Sequence, residues 1–216
     1  WGMVKLPEEL ASPFNAFIEE VGKTGLVRVG TGRTRGMGKV RLSVGPLESE
    51  QERYEQFKKR LRTFNDRLQT LAKQAFPASA YDLALQPFYF ALTLHSPAIL
   101  CDPLLRYRGS INTPVLEELL HIPSDNFKLI YQAVGTRRLS GWNELWGLPR
   151  ANEYAIDTGS VFLFGSDITP DEDKDKDNVL WQALFKLEEE GIGRRKAEGF
   201  GRVCVSDPFH LEVTLP

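Results

Sequence analysis

Cysteine is scarce. Only Cys101 and Cys204 occur in 216 residues, far apart and in no Cys-x-x-Cys pair, which argues against a disulfide-stapled scaffold and a zinc ribbon. A reducing cytoplasm is the compartment that follows. Long apolar runs are missing too: no stretch of 18 apolar residues occurs, so no membrane-spanning helix is expected. The opening Trp1-Gly-Met-Val-Lys has neither the basic nor the apolar region of a secretory signal. Charge of one sign is not in excess. Twenty-seven Lys and Arg stand against 29 Asp and Glu, a net charge of −2, which excludes a uniformly basic nucleic-acid coat and leaves room for a local basic site. Histidine is limited to His95, His121 and His210, none in His-Glu-x-x-His or beside a cysteine at ligand spacing, and no Gly-x-Ser-x-Gly occurs. These patterns therefore lead us to expect no catalytic residue, metal ligand or cofactor.

What the chain does have is apolar mass, 42% of its residues with 13 Phe, 6 Tyr and 4 Trp, enough for a real core. Residues 8–22 read as an amphipathic helix through Leu10, Phe14, Phe17, Ile18 and Val21, stopped by Gly22 and Gly25. Arg28–Arg41 then holds five bases, four glycines and no acid, and runs into Val40–Val44, whose alternation predicts a strand. Residues 48–75 place Tyr54, Phe57, Leu61, Phe64, Leu68, Leu71 and Ala75 at alternating spacings of three and four, the pattern of one long helix packed on its own domain or on a partner. Pro77 ends it. Strand-like runs follow at 86–95 and 128–134, with a short helix near Pro114–His121 between them. Arg137–Trp146 reads as an irregular or hairpin connection, and Tyr154–Phe164 contains a strand. An acidic segment, Asp167–Asp177, precedes a helix over 178–190 with Leu180, Leu184 and Leu187 inward.

The chain then repeats its earlier order of helix, glycine loop and strand. Gly36-Met-Gly-Lys-Val-Arg-Leu42 matches Gly199-Phe-Gly-Arg-Val-Cys-Val205 as Gly, bulky apolar, Gly, base, Val, any residue, aliphatic. Further bases precede each copy, Arg33 and Arg35 in one, Arg194, Arg195 and Lys196 in the other, with earlier glycines at 30 and 32 or 191 and 193. Glycines permit positive φ and close approach, so successive amides can face an anion while the bases neutralise it. A phosphate chain is the expected guest. The dinucleotide fingerprint and the phosphate-binding Walker loop do not fit, because both run from strand through loop to helix.

Gly191-Ile-Gly-Arg-Arg-Lys-Ala-Glu-Gly-Phe-Gly-Arg-Val203 resembles the carboxy-terminal glycine-rich signature of the RAMP superfamily of CRISPR-associated proteins. Ala155-Ile-Asp-Thr-Gly-Ser-Val-Phe-Leu-Phe164 resembles the segment leading into that family's third strand and helix. Gly30-Thr-Gly-Arg-Thr-Arg-Gly-Met-Gly-Lys-Val40 is similar to the same loop at the end of a first repeat, and among two-repeat members the pattern most resembles the subunit that caps the guide RNA in type III-D effectors. The resemblance implies an α+β, ferredoxin-like (RRM-like) fold of βαββαβ units. On this mapping residues 1–44 are the carboxy-terminal half of a first unit, 45–83 a long connecting helix and linker, and 84–216 a second unit with insertions and the glycine-rich loop. The first unit's opening strands are not represented, so either upstream sequence or another polypeptide is expected to complete it.

The resemblance further implies a non-catalytic RNA-binding subunit of a prokaryotic, cytoplasmic effector in antiviral defence. Its partners would be the CRISPR guide RNA and other RAMP subunits. RNA backbone contacts fall to Gly30, Arg33, Arg35, Gly36, Gly38 and Lys39 in the first loop, and to Gly193, Arg194, Arg195, Lys196, Gly199, Gly201 and Arg202 in the second. Two alternatives are weighed against it. One is a metal-independent endoribonuclease on the same scaffold, since some relatives process guide RNA with a histidine; His95 and His210 are its candidates, each with a satisfied structural histidine as the plain reading. The other is a protein–protein assembly module built on the long helix. Asp173, Asp175 and Asp177 have the opening spacing of a calcium loop, but Asn178 and Leu184 stand where glycine and glutamate belong, so a solvated acidic loop is expected. Trp142 and Trp146, near Arg137 and Arg138, are read as core residues or as stacking platforms for bases. Arg106 and Arg108 are weaker candidates for RNA contact.

Overall fold

The computed structural model describes residues 6–25, 27–28, 38–45, 48–75, 86–143, 146–168 and 179–212. The chain divides into two units, Trp1–Ser49 and Glu50–Pro216. In the first, helix α1 spans Glu8–Thr24. Glu8 and Glu9 suit the positive end of its dipole, Lys23 suits the negative end, and Gly25 closes it in the left-handed conformation at φ 60°. None of its residues is buried. Arg28 and Lys39 form a single antiparallel bridge, and the Val40 N–H donates to the Val27 carbonyl at 3.1 Å. The strand expected over Val40–Val44 goes no further: residues 40–45 form no ladder, because no second strand lies beside them among the described residues.

The second unit opens with helix α2 (Glu50–Ala75), then β1 (Phe88–Leu94), a short hairpin of β2 (Leu100–Cys101) and β3 (Tyr107–Arg108), and α3 (Thr113–Leu120). Strands β4 (Phe127–Ala133), β5 (Thr136–Leu139), β6 (Trp142–Asn143), β7 (Leu148–Pro149), β8 (Glu153–Ile156) and β9 (Val161–Ser166) follow, and α4 (Val179–Glu190), β10 (Val203–Val205) and α5 (Phe209–Glu212) complete it. Four strands make one sheet in the order β10, β1, β9, β4, with every neighbouring pair antiparallel. Counting only these strands and helices α3 and α4, the chain runs strand, helix, strand, strand, helix, strand, and the sheet order is fourth, first, third, second. The fold is α+β.

Alternation along the strands sends Phe88, Phe90, Leu92 and Leu94 of β1 and Phe162 and Phe164 of β9 to one face, all buried. That face packs with Val115, Leu116 and Leu120 of α3 and with Leu180, Trp181, Leu184 and Leu187 of α4 in one core. The local signals agree with this placement. Asn112 caps α3 by accepting from the Val115 N–H at 3.1 Å, Pro114 sits in the first turn, and His121 ends the helix at φ 58°.

The long helix falls within the second unit and packs on it. Phe57 and Leu61, at a spacing of four, are buried in the shared core, and Tyr54 and Phe57 meet Phe185 edge-on at ring separations of 5.1 and 5.4 Å. Burying such side chains stabilises by about 1.5–3 kcal/mol each. The helix also solves a problem of strand length. Strand β10 pairs only with Leu92–Leu94, leaving the first half of β1 without a strand on that side. Ser206 continues the pairing by donating its N–H to the Ala91 carbonyl at 2.7 Å. Beyond it, Asn65 Oδ1 accepts from the Tyr89 N–H at 3.0 Å, and the Gln69 amide donates to the Pro87 carbonyl at 3.0 Å. Polar side chains of α2 thus take the place of a missing strand. Arg60 fixes the register of helix and sheet, donating to the Val205 carbonyl at 3.0 Å and pairing with Glu188 at 2.6 Å.

Candidate functional site

The second glycine loop, residues 191–202, joins α4 to β10 and is folded tightly onto the unit. The Gly191 N–H donates to the Leu187 carbonyl at the end of the helix, and Ile192, buried in the core, donates to the Gly201 carbonyl. The Arg194 and Gly201 amides reach the carbonyls of Ile99 and Pro97, the Glu198 and Gly199 amides close a short turn, and the Arg202 amide donates to Ser96 Oγ at 2.8 Å. These amides are therefore spent on the fold. With the amides of 191, 192, 194, 198, 199, 201 and 202 engaged in this way, an anion at the loop would meet the amides of 193, 195–197 and 200 and the loop's side chains.

Two glycines show what the loop demands. Gly201 has φ 74°, and a Cβ there would collide with the Ile192 carbonyl oxygen, so glycine is needed for packing. Gly199 has φ 89°, yet its missing side chain faces open space. It marks the stretch of loop backbone that a bulky ligand can approach most closely.

The bases differ in the same way. Arg195 is held at φ 58° and donates two bonds to Glu198, at 2.8 and 2.6 Å, and a third to Glu153 at 2.5 Å, with its guanidinium 4.7 Å from the Phe200 ring. The hydrogen bonds to Glu198 lead in raising its pKa, and the same pairing holds the Glu198 carboxyl below its usual range. Arg195 is a rivet, with its charge already matched. Arg194, Lys196 and Arg202 are the exposed bases of this loop. The Arg194 guanidinium stands 3.9 Å from Cys101 Sγ and, with Gly193, Arg108, Leu105, Val115 and Leu119, lines a cavity of about 340 Å³.

Of the first loop, Gly30, Arg33, Arg35 and Gly36 lie outside the described residues, as does the acidic segment 171–177 with its calcium-like spacing. Gly38 has φ 78° and Lys39 bridges to Arg28. Arg106 and Arg108 are matched by Asp102 and Glu118, at 2.6 and 2.8 Å. Trp142 and Trp146 are not core residues. They are 60% and 77% exposed, in and beside the β6–β7 ribbon, with Arg138 and Arg150 exposed nearby in the chain.

A second cluster forms where β1 and β10 end. His95 Nε2 lies 2.6 Å from Asp207 Oδ2, and Cys204 Sγ is close enough that all three donor atoms lie within 4.8 Å of one another. His210 Nε2 lies 2.8 Å from Thr93 Oγ1, so both candidate histidines reach one patch. Burial works against the charge of Asp207, but the Phe209 N–H and His95 outweigh it and hold the carboxyl below its usual range. Burial, reinforced by Glu188, pushes the Cys204 thiol up to about 12, so without an electrophilic partner it stays protonated at neutral pH and is no nucleophile. Motif reading finds the two histidines and misses Asp207 and Cys204. The only available sign is that Cys204 alternates with Val203 and Val205 and so faces away from the core, as Thr93, its partner in register, also does.

Among the described residues no helix is long and apolar enough to cross a membrane. In comparisons with known proteins, no family model matches the chain and no curated protein does.

Proposed function

We propose that the chain is a non-catalytic RNA-binding subunit of a CRISPR type III RNA-guided effector, acting in the prokaryotic cytoplasm with other RAMP subunits. In this reading it holds the guide-RNA backbone near the 5′ end with its glycine-rich basic loops. One observation carries the proposal. The order of the four strands in the second unit, β10, β1, β9, β4, agrees with the ferredoxin-like βαββαβ unit that the resemblance implies, and the base-bearing glycine loop precedes the last of them, where the resemblance puts the RNA contact. Arg194, Lys196 and Arg202 supply exposed charge, Gly199 supplies open backbone, and Trp142 and Trp146 offer rings on which unpaired bases stack for about 1–3 kcal/mol each.

The test is gentle purification from the native host, with sequencing of any small RNA that comes along and mass spectrometry of bound proteins. Discrete guides with a common 5′ end, together with other RAMP subunits, are expected; protein that comes alone and free of RNA overturns the reading. On the recovered guide, changing Arg194, Lys196 and Arg202 together to Ala should flatten the slope of log affinity against log salt by about 2, at ~0.7 per phosphate contact. An unchanged slope removes the loop from the interface.

A second reading, a metal-independent endoribonuclease, is favoured by one finding: His95 bonds Asp207, and His210 lies in the same patch. Two histidines can serve as base and acid in an attack by the ribose 2′-hydroxyl on the adjoining phosphate. It requires cleavage of unmodified RNA in the presence of chelator and none of RNA carrying a 2′-deoxy sugar at the cut. His95→Ala or His210→Ala must abolish cleavage while binding persists.

A further inference from the structure

We propose that His95, Asp207 and Cys204 form a binding site for one divalent ion of the zinc class, a function independent of any RNA contact. The three ligands come from separate places in the chain and are brought together by the sheet. His95 follows the last residue of β1, Cys204 stands at the centre of β10, and Asp207 lies in the turn that leads into α5. Antiparallel register sets Thr93 opposite Cys204, and the His95 N–H donates to the Arg202 carbonyl at 2.8 Å, so the backbones that carry the histidine and the thiol are fixed relative to each other. Asp207 is fixed by its own turn, where Oδ1 accepts from the Phe209 N–H at 3.0 Å while Oδ2 faces His95.

The donor set of imidazole nitrogen, thiolate sulfur and carboxylate oxygen suits zinc, cobalt or another borderline cation and does not suit calcium or magnesium, which demand oxygen. Tetrahedral coordination with bonds of about 2.0–2.3 Å puts ligand atoms roughly 3.4–3.6 Å apart. Here the spread runs from 2.6 Å, between His95 and Asp207, to no more than 4.8 Å. Closing on an ion therefore means opening one hydrogen bond and drawing the third atom in. Because His95 is exposed, its ring can turn without disturbing the core. The ion enters between atoms that already bond, and the thiol proton leaves to solvent as the metal–sulfur bond forms. Three protein ligands leave the fourth position to water, beside an open surface.

The experiment uses the full chain, stripped with chelator, with Co²⁺ as the probe. Stoichiometric Co²⁺ should give a near-ultraviolet thiolate-to-cobalt charge-transfer band and visible bands of tetrahedral intensity, both displaced by one equivalent of Zn²⁺, and Zn²⁺ should raise the melting temperature. The chain has only two cysteines, so Cys101→Ser must keep the band and Cys204→Ser must lose it. His95→Ala, at an exposed position, should weaken cobalt binding more than about 100-fold. If Cys204→Ser fails to fold, the Cys101→Ser and His95→Ala spectra decide alone. The proposal is overturned if the native chain shows no charge-transfer band, if Cys101→Ser abolishes it, or if His95→Ala leaves the affinity unchanged.

Discussion

Helices α1 and α4 occupy the same place in the two halves of the sequence, each leading into a glycine-rich basic loop, and both carry an apolar stripe. Only α4 buries it. Leu180, Trp181, Leu184 and Leu187 lie under the sheet, whereas no residue of α1 is buried and Phe17 is 59% exposed. An apolar stripe specifies a helix and the width of the surface it wants to cover, but not that the covering surface exists in the same chain. The second unit supplies four strands against its helix, and the described part of the first supplies one bridge.

That contrast can be broken first in the core. Leu184→Ala should cost about 2–5 kcal/mol through lost transfer and a residual cavity, while Phe17→Ala should stay within about 0.5 kcal/mol, both read by urea unfolding of the whole chain. Equal losses would mean that α1 is buried after all in solution. The two positive-φ glycines, one packed and one open, sharpen the comparison within one loop. Gly201→Ala should cost about 2–4 kcal/mol, since strain at positive φ adds to a collision, and Gly199→Ala about 1–2 kcal/mol from strain alone. If both cost the same, the loop is not tightly docked at Gly201. Arg195 should behave unlike its neighbours: Arg195→Ala should lower stability by roughly 1 kcal/mol or less and speed hydrogen exchange in 192–202, yet leave the salt slope of RNA binding unmoved. A slope that falls by ~0.7 would make it a phosphate ligand.

The smallest effect is a pH dependence. The folded Glu198 carboxyl is held below its ordinary value of 4.5 by Arg195, so the unfolded state binds its proton first as pH falls. The contribution of the pair is complete above 4.5 and is lost progressively below it. Hydrogen exchange in the loop should show this in the native chain and not in Glu198→Gln.

The elements themselves were legible because burial has a period. Spacings of three and four marked α2 and α4, a strand-like apolar run marked β1, and closely spaced glycines marked the loop. What was hidden depends on pairs far apart in sequence. Nothing in Asn65 or Gln69 distinguishes them from solvated helix residues until Tyr89 and Pro87 arrive beside them. Arg195 reads as one more loop base until Glu153, on another strand, takes its charge. Trp142 and Trp146 were ambiguous because a large ring serves a core or a surface equally well. His95, Cys204 and Asp207 meet only because of strand register, which no spacing within a motif encodes.

The helix that closes off β1 also sets how copies of this sheet can meet. Alongside the three-residue β10, the amide and carbonyl groups that would recruit another strand are already answered by Ser206, Asn65 and Gln69. At the opposite border, β4 pairs only with β9 among the described residues, and its ladder shifts between Leu129 and Tyr131. The two borders of the sheet thus differ: beside β10, the fold's own side chains occupy groups of β1 that an added strand would need. A strand added on that side would first have to displace the fold's own helix.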